Sequence, residues 1–139
     1  MACLNRAVAT FRISGRDLDP DKITSLLGGT PTRTCKQGEQ LPSAAGGTPR
    51  FARVGQWRID APETEPEDLD LQVRHVLEGL TQDFDVWRSL SNQFRMDVFC
   101  GWFMKESNEG VDIKPETLVL LGQRGITLAL DIYAPDAED

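Results

Sequence analysis

The segment Thr10–Glu39, TFRISGRDLDPDKITSLLGGTPTRTCKQGE, constrains the fold more than any other part of the chain. Its first residues alternate between polar and apolar, which predicts a strand. Asp19 is a good helix N-cap, and Pro20 suits the first helical position, where a missing N–H costs nothing. Gly28 supplies a left-handed helix stop, and a second extended segment begins at Pro31. The segment therefore predicts a strand, a short helix and another strand.

A shorter version of this pattern recurs over Val111–Leu130, VDIKPETLVLLGQRGITLAL. Both copies place a proline and an acid where a helix begins, and both helices are predicted to end in Leu-Leu-Gly, at Gly28 and Gly122. The match is short and gapped. It indicates either an internal pseudo-repeat or two helices that are simply capped alike.

The rest of the chain is predicted to form one long helix and several more strands. The helix spans 66–90 on a stripe of apolar residues with three- and four-residue spacing. Gly79 and Thr81 mark a point where it bends or splits, with Thr81 as the candidate cap of a second segment. The further strands are predicted over 56–59, 94–104, 111–113 and 126–133, the third after a turn at 107–110.

These elements predict an α+β fold with a largely antiparallel sheet and about three helices, mainly on one face. The expected architecture is a ferredoxin-like plait with an extra strand pair. One domain spans 1–139. The stretch 37–55 is rich in Gly, Pro and Ser and is expected to be a flexible loop, and the acidic tail 134–139 is expected to fray.

Charge is distributed unevenly along the chain. Residues 1–58 hold nine Lys/Arg and four Asp/Glu, whereas residues 59–139 hold six and eighteen, and the net charge is −7. Six acids lie between positions 60 and 70. They form either a solvated acidic loop or a surface that attracts a basic partner. Net acidity argues against nucleic acid as the ligand, because phosphates need a cationic surface.

The three cysteines, Cys3, Cys35 and Cys100, are odd in number and far apart, which fits a reducing compartment better than a disulfide framework. No apolar run approaches the roughly 20 residues that span a bilayer. The N-terminus, MACLNRAVATF, lacks the features of a signal peptide. We therefore expect a cytoplasmic protein, with no membrane partner, that is a monomer or a homodimer.

The chain resembles the bacterial domain-of-unknown-function family 4279 over nearly its whole length. The resemblance is carried by Phe11-Arg12-Ile13-Ser14-Gly15, Leu18-Asp19-Pro20-Asp21, Ile23-Thr24, Leu26-Leu27-Gly28, Pro31-Thr32-Arg33, Lys36, Gly38-Glu39, Gly55, Trp57, the leucine-rich central helix and Asp131-Ile132-Tyr133. The loop Gln40–Arg53 is longer than is usual for the family. The resemblance implies a compact bacterial α+β domain and no particular activity.

The sequence contains few candidates for catalysis or metal binding. His75 is the only histidine, and no nucleophile is placed beside it by sequence. No CxxC, HxxxH or HExxH spacing is present. Asp17, Asp19 and Asp21 are candidate ligands for magnesium. Helix capping and the helix dipole, however, already explain Asp19 and Asp21. We therefore expect no enzyme activity, no metal and no cofactor.

Two surfaces remain as candidate binding sites. Arg12, Arg33, Lys36, Trp57 and Arg58 would form a ligand pocket if their strands pair, because guanidinium groups near an aromatic ring suit a carboxylate or phosphate. The second surface is the acidic segment formed by Asp60, Glu63, Glu65, Glu67, Asp68 and Asp70.

The leading hypothesis is a non-enzymatic module that binds a protein partner, for example a basic one, through the acidic segment. A protein that neutralises a basic toxin, as immunity proteins do, is one example of this class. The alternative is a domain that binds a small molecule or anion in the arginine pocket. An acidic face favours the first hypothesis, and a concave pocket lined by arginines favours the second.

Overall fold

A computed structural model describes residues 6–135, with side chains from Ala7 onward. The expectations for Cys3 and for tail residues 136–139 lie outside the described residues. The elements in chain order are β1 (Arg6–Gly15), α1 (Pro20–Leu27), β2 (Arg33–Cys35), β3 (Gln40–Leu41), β4 (Arg50–Phe51), β5 (Gly55–Asp60), α2 (Leu69–Leu77), α3 (Phe84–Gln93), β6 (Arg95–Phe103), α4 (Pro115–Arg124) and β7 (Thr127–Tyr133). The predicted α+β class is confirmed.

The main sheet has five strands in the order β2-β5-β1-β6-β7. Neighbouring strands are antiparallel except β6 and β7, which run parallel because α4 carries the chain back between them. The strands β3 and β4 form a separate two-stranded ladder. The sheet is therefore largely antiparallel, as predicted.

One face of the sheet is buried beneath the helices. Alternate residues of β1, from Ala7 to Ile13, are almost wholly buried on this face. The ring of Phe11 meets Trp57 of β5 edge-on at 6.2 Å and lies 6.0 Å from Trp87 of α3, measured between ring centroids. The opposite face bears the intervening residues of each strand, many of them charged. We call this second surface the polar face.

Helix α1 forms where the sequence predicts it. The Asp19 carboxylate accepts the Asp21 backbone N–H at 3.1 Å, and Gly28 ends the helix in the left-handed conformation at φ 79°. Ile23 and Leu27 face the core, but Leu26, which the sequence places on the same face, is 39% exposed. Fewer residues of this eight-residue helix are buried than its apolar residues predict.

The predicted long helix is two helices, so the described chain has four rather than three. Gly79 adopts a positive φ of 79° after α2, and the chain turns there. The cap of α3 is Asp83, whose carboxylate accepts the Asp85 N–H at 3.0 Å. Thr81, the predicted cap, instead donates its backbone N–H to the Leu27 carbonyl at 2.8 Å. The connection between α2 and α3 is thus hydrogen-bonded to the end of α1.

Two predictions near the C-terminus are wrong. The segment 111–113 is not a strand; Val111 and Ile113 instead pack against the core as the chain crosses toward α4. Gly122 does not end α4, because the buried side chains of Leu121 and Arg124 continue the helix for another turn. Gly125 ends it, at φ 69°.

Candidate ligand site on the polar face of the sheet

Three arginines form a row across adjacent strands. Arg33 of β2 lies directly opposite Arg58 of β5, and Arg58 lies directly opposite Arg12 of β1. Side chains at directly opposed positions project from the same face of a sheet, here the polar face. Like charges in this arrangement repel one another, so the row is stable only where carboxylates or a bound anion compensate it.

The innermost arginine is compensated within the fold. Arg12 donates two hydrogen bonds, of 2.8 and 2.7 Å, to the carboxylate of Asp97 on β6, and its guanidinium lies 4.5 Å from the centre of the Phe99 ring. The hydrogen bond to Asp97 raises the pKa of Arg12. Asp97 is 2% exposed and also lies 4.0 Å from Arg95. This pair fixes the inner end of the row.

Sequence reasoning missed Asp97, although the chain offers a signal for it. Asp97 stands between Met96 and Val98 in a strand whose core face is apolar. A carboxylate is almost never fully buried unless it is paired, so an acid in such a strand predicts a cationic partner on a neighbouring strand.

The two outer arginines are poorly compensated. Arg33 is largely exposed and lies 3.9 Å from Asp60, whose carboxylate also accepts the Thr10 hydroxyl at 2.9 Å. Within residues 6–135, no carboxylate oxygen lies within 4.0 Å of Arg58, and its buried Nε has no hydrogen-bond partner. Burial, followed by the positive charge of Arg33, lowers the pKa of Arg58. The described part of the fold therefore supplies no hydrogen-bond acceptor to the Nε of Arg58.

The outer arginines open into a cavity of about 550 Å³. Its sheet side is lined by Arg33, Thr34, Cys35, Gln56 and Arg58, and its other wall is lined by Glu39, Gln40, Leu41, Pro42 and Arg50. That volume lies within the range of about 300–1,000 Å³ typical of small-molecule sites. Three guanidinium groups and one carboxylate line the cavity, so an anionic ligand suits it better than a cationic one.

The second wall comes from a segment that sequence reasoning treated as a flexible loop. Beyond the paired residues of β3 and β4, the ladder is extended by bonds of 2.8 Å from Gly38 N–H to the Ala52 carbonyl and from Ala52 N–H to the Glu39 carbonyl. Arg50 was therefore missed as a site residue. No local signal identifies it, because its place depends on how this ladder folds over the sheet. The mobility of 37–55 stays a prediction.

Trp57 and Lys36 do not join the arginine row. Trp57 follows the alternation of β5 onto the core face, is wholly buried, and donates its indole N–H to the Thr24 hydroxyl at 3.0 Å. Lys36 is exposed, and it lines a separate depression of about 390 Å³ with Pro20 and Glu39. Of the five predicted pocket residues, Arg33 and Arg58 line the cavity and Arg12 stands beside them.

The acidic segment is divided between structural and exposed carboxylates. Asp68 caps α2 by accepting the Leu71 N–H at 3.0 Å. Asp70 accepts the Thr117 hydroxyl and, at 3.2 Å, the Lys114 N–H, and so joins α2 to the start of α4. The remaining members are Asp60, which binds Thr10 as described; Glu67, which is half-buried and accepts the Leu69 N–H at 3.3 Å; and Glu63 and Glu65, which are exposed.

The candidates for catalysis are dispersed. His75 is exposed on α2. The Cys35 thiol lines the arginine cavity and donates to the Val54 carbonyl at 3.8 Å, whereas burial raises the pKa of Cys100 to about 12. Among residues 6–135, no three His, Cys, Asp or Glu side chains are grouped to hold a metal ion. The same part of the chain has no helix long and apolar enough to cross a membrane.

Comparison with protein families gives one match. The model of a family described as a domain of unknown function, DUF4279, matches residues 5–135. The chain belongs to this family. The DUF4279 match extends over all eleven helices and strands of the described chain, so the arginine row and the cavity lie within the family domain. No curated protein and no solved structure gives a significant match.

Proposed function

We propose that the chain is a binding domain for a small anion, a molecule that carries a carboxylate or phosphate group. The proposal rests on one observation, which is the Arg58 guanidinium at the cavity, with a buried Nε that lacks a partner. A buried polar group without a hydrogen bond costs about 1–3 kcal/mol, and more when the group is charged. A fold retains such a group where a ligand completes it.

The chemistry of the site selects the ligand class. Arginine presents a planar fork of donors that matches the two oxygens of a carboxylate or phosphate, and such pairs are stronger than neutral hydrogen bonds. Arg33 adds charge beside Arg58 on the sheet wall and Arg50 adds charge on the other wall, so a bound anion would be contacted from two sides. The single lining carboxylate, Glu39, leaves the cavity with a positive surplus.

The test is ligand-dependent stability at constant ionic strength. Thermal unfolding would be followed with inorganic phosphate, citrate or a nucleoside monophosphate, with sodium chloride balancing the ionic strength. A ligand at about one hundred times its Kd stabilises the folded state by about 2.7 kcal/mol. We expect at least one of these anions to raise the midpoint. No change with any of the three would contradict the proposal.

Arg58→Gln separates specific binding from general charge effects. Without ligand, this variant should be as stable as the wild type or more stable, because it removes a partly buried cation that two other arginines repel. It should lose the stabilisation by anion. The matched control is Arg53→Gln, since Arg53 is exposed and does not line the cavity. Equal responses of the two variants would show that the arginine row is not the binding site.

Binding of a protein partner is a second proposal, and Glu63 and Glu65 carry it. Both side chains are exposed on the linker between β5 and α2. If they steer a basic protein, the double change of both to Gln should slow the association of any captured partner, and raised salt should do the same. If neither the double variant nor raised salt slows the association of the captured partner, this surface is not its binding site.

The ferredoxin-like arrangement is also a proposal, and the strand order supports it. Two units make up this order, β1-α1-β2 and β5-α2-α3-β6. In each unit the last strand runs parallel to the first, and one strand of the other unit lies between them. The resulting strand order is β2-β5-β1-β6. In this interpretation α4 and β7 are an added unit. The predicted pseudo-repeat would then reflect the two split units of the plait rather than the two Pro-acid helices.

A further inference from the structure

Strand β7 is an edge of the sheet. Among residues 6–135 it pairs only with β6, and its seven residues, Thr127–Tyr133, contain no proline, lysine or arginine. Edge strands usually carry charges, prolines or bulges, or are very short, because their free N–H and C=O groups otherwise recruit another strand. The opposite edge, β2, follows this rule, since it is three residues long and carries Arg33. The edge at β7 is more than twice as long, and its one charged residue is Asp131.

The backbone of β7 defines which groups are available at this edge. The Tyr133 carbonyl accepts the Met104 N–H at 3.0 Å, so the N–H and C=O groups of Tyr133 face β6. These groups alternate between the two sides of a strand. The groups of Leu128, Leu130 and Ile132 therefore point away from the sheet, toward the free edge.

The side chains of the same residues form an apolar strip. Leu130 and Ile132 are 42% and 54% exposed, and they lie on the helix-covered face, opposite Cys100 and Trp102 of β6. Helix α4 exposes Leu118 and Val119. An apolar strip beside unpaired backbone groups is the composition of an interface rather than of a solvated edge.

A second copy of the chain satisfies this edge in one register. An antiparallel pair centred on Leu130 places Leu130 opposite itself and Leu128 opposite Ile132, and these are the residues with outward N–H and C=O groups. The same register sets Asp131 opposite Ala129. A shift of the centre to Asp131 would set two carboxylates face to face, which is unfavourable, and would leave fewer residues paired.

We propose that the chain forms a two-fold symmetric dimer through β7, so that two five-stranded sheets become one continuous sheet. Such an interface is isologous, with the same surface used by both copies. The symmetry axis passes beside Leu130 and leaves the helices of both copies on one side of the joined sheet. The arginine cavity is at the other edge, beside β2, and stays open in each copy.

The first test is the molar mass in solution. Sedimentation equilibrium of the full chain should give twice the monomer mass of 15.5 kDa. Leu130→Lys places two like charges at the symmetry axis and should give the monomer mass. Leu26→Lys, at a side chain of similar exposure on α1, should leave the dimer intact. A wild type that is monomeric throughout, or a folded Leu130→Lys dimer, would overturn the proposal.

A charge-pairing test isolates the register. Leu130→Lys and Leu130→Glu should each be monomeric alone, while their mixture should form a heterodimer, because only a two-fold axis at this residue brings the two substituted side chains together. Circular dichroism checks that both variants are folded. A mixture of folded variants that stays monomeric would exclude this register.

Amide hydrogen exchange of the unmodified chain gives a test that needs no variant. In the dimer the N–H groups of Leu128, Leu130 and Ile132 are bonded, so their exchange should slow as the protein concentration rises. Exchange at these three amides that is fast at every concentration would contradict the proposal, whatever the variants do.

Discussion

The packing of α1 against the sheet is open to a sharp test at two neighbouring leucines. Leu27 is 1% exposed and Leu26 is 39% exposed, although they are adjacent in the same helix. The α1 end is held in place, because the Leu27 carbonyl accepts the Thr81 N–H at 2.8 Å. Since the held backbone limits collapse into the space left behind, we expect Leu27→Ala to cost about 3–4 kcal/mol, within the usual range for buried leucines.

The matched control for this change is Leu26→Ala. It makes the same chemical change one residue away, and we expect a cost below about 1 kcal/mol because less surface is withdrawn from water and alanine favours the helix. Leu80→Ala should resemble Leu27→Ala, at about 2–5 kcal/mol, since Leu80 is also buried and packs against Gly29 of the α1–β2 connection.

Urea denaturation measures all three variants. The free energy of unfolding falls linearly with urea, and an unchanged slope shows that a shift of the midpoint reports stability alone. We expect the midpoint of Leu27→Ala to lie far below that of Leu26→Ala. Equal midpoints for these two variants would mean that the helix is rotated from the orientation described above.

Three further outcomes are expected. Trypsin should cut the native chain first within 40–53, after Arg50 or Arg53, which are both exposed; a first cut elsewhere would show that this segment is firmly packed. Iodoacetamide at about pH 8 should modify Cys35 before Cys100, since burial raises the Cys100 pKa to about 12 and the thiolate is the reactive form. Peptide mapping measures the order, and modification of Cys100 first would contradict its burial. Burial raises the pKa of Glu67 in the folded chain. Between the pKa of the unfolded chain and this raised pKa, the folded chain keeps a proton that the unfolded chain has released, so stability falls as the pH rises through that range. Glu67→Gln should flatten this part of the pH–stability curve, and an unaltered curve would contradict the assigned burial.

Much of the fold followed from local signals. Asp19, Pro20 and Gly28 specify where α1 begins and ends, because caps and left-handed stops act on neighbouring residues and need no tertiary partner. The alternation of β1 likewise separated its buried residues from its polar ones. The break after α2 was only half predicted, since Thr81 and Asp83 are both acceptable caps by composition and the cap of α3 is Asp83.

The candidate site was predicted in part. Arg12, Arg33 and Arg58 were selected as a group, and the strand order places them in one row. Trp57 was included as an aromatic ring for the guanidinium groups, but it is adjacent to Arg58 in β5, and adjacent residues of a strand face opposite ways. The acidic segment was selected on composition, which does not show that Asp68 caps α2 or that Asp70 joins α2 to the start of α4.

By itself, the sequence determined the α+β class, the limits of α1, the alternation of β1 and the family. Tertiary structure alone decided the strand order, the partner of Asp97, the folding of β3 and β4 over the arginine row, and the free edge at β7. The physical reason is the sequence separation over which each kind of interaction acts. Caps, turns and alternation depend on bonds within a few residues, whereas a cavity or a sheet edge depends on which distant strands pair. Arg12 and Asp97 are 85 positions apart, and no local pattern near either residue specifies that they meet.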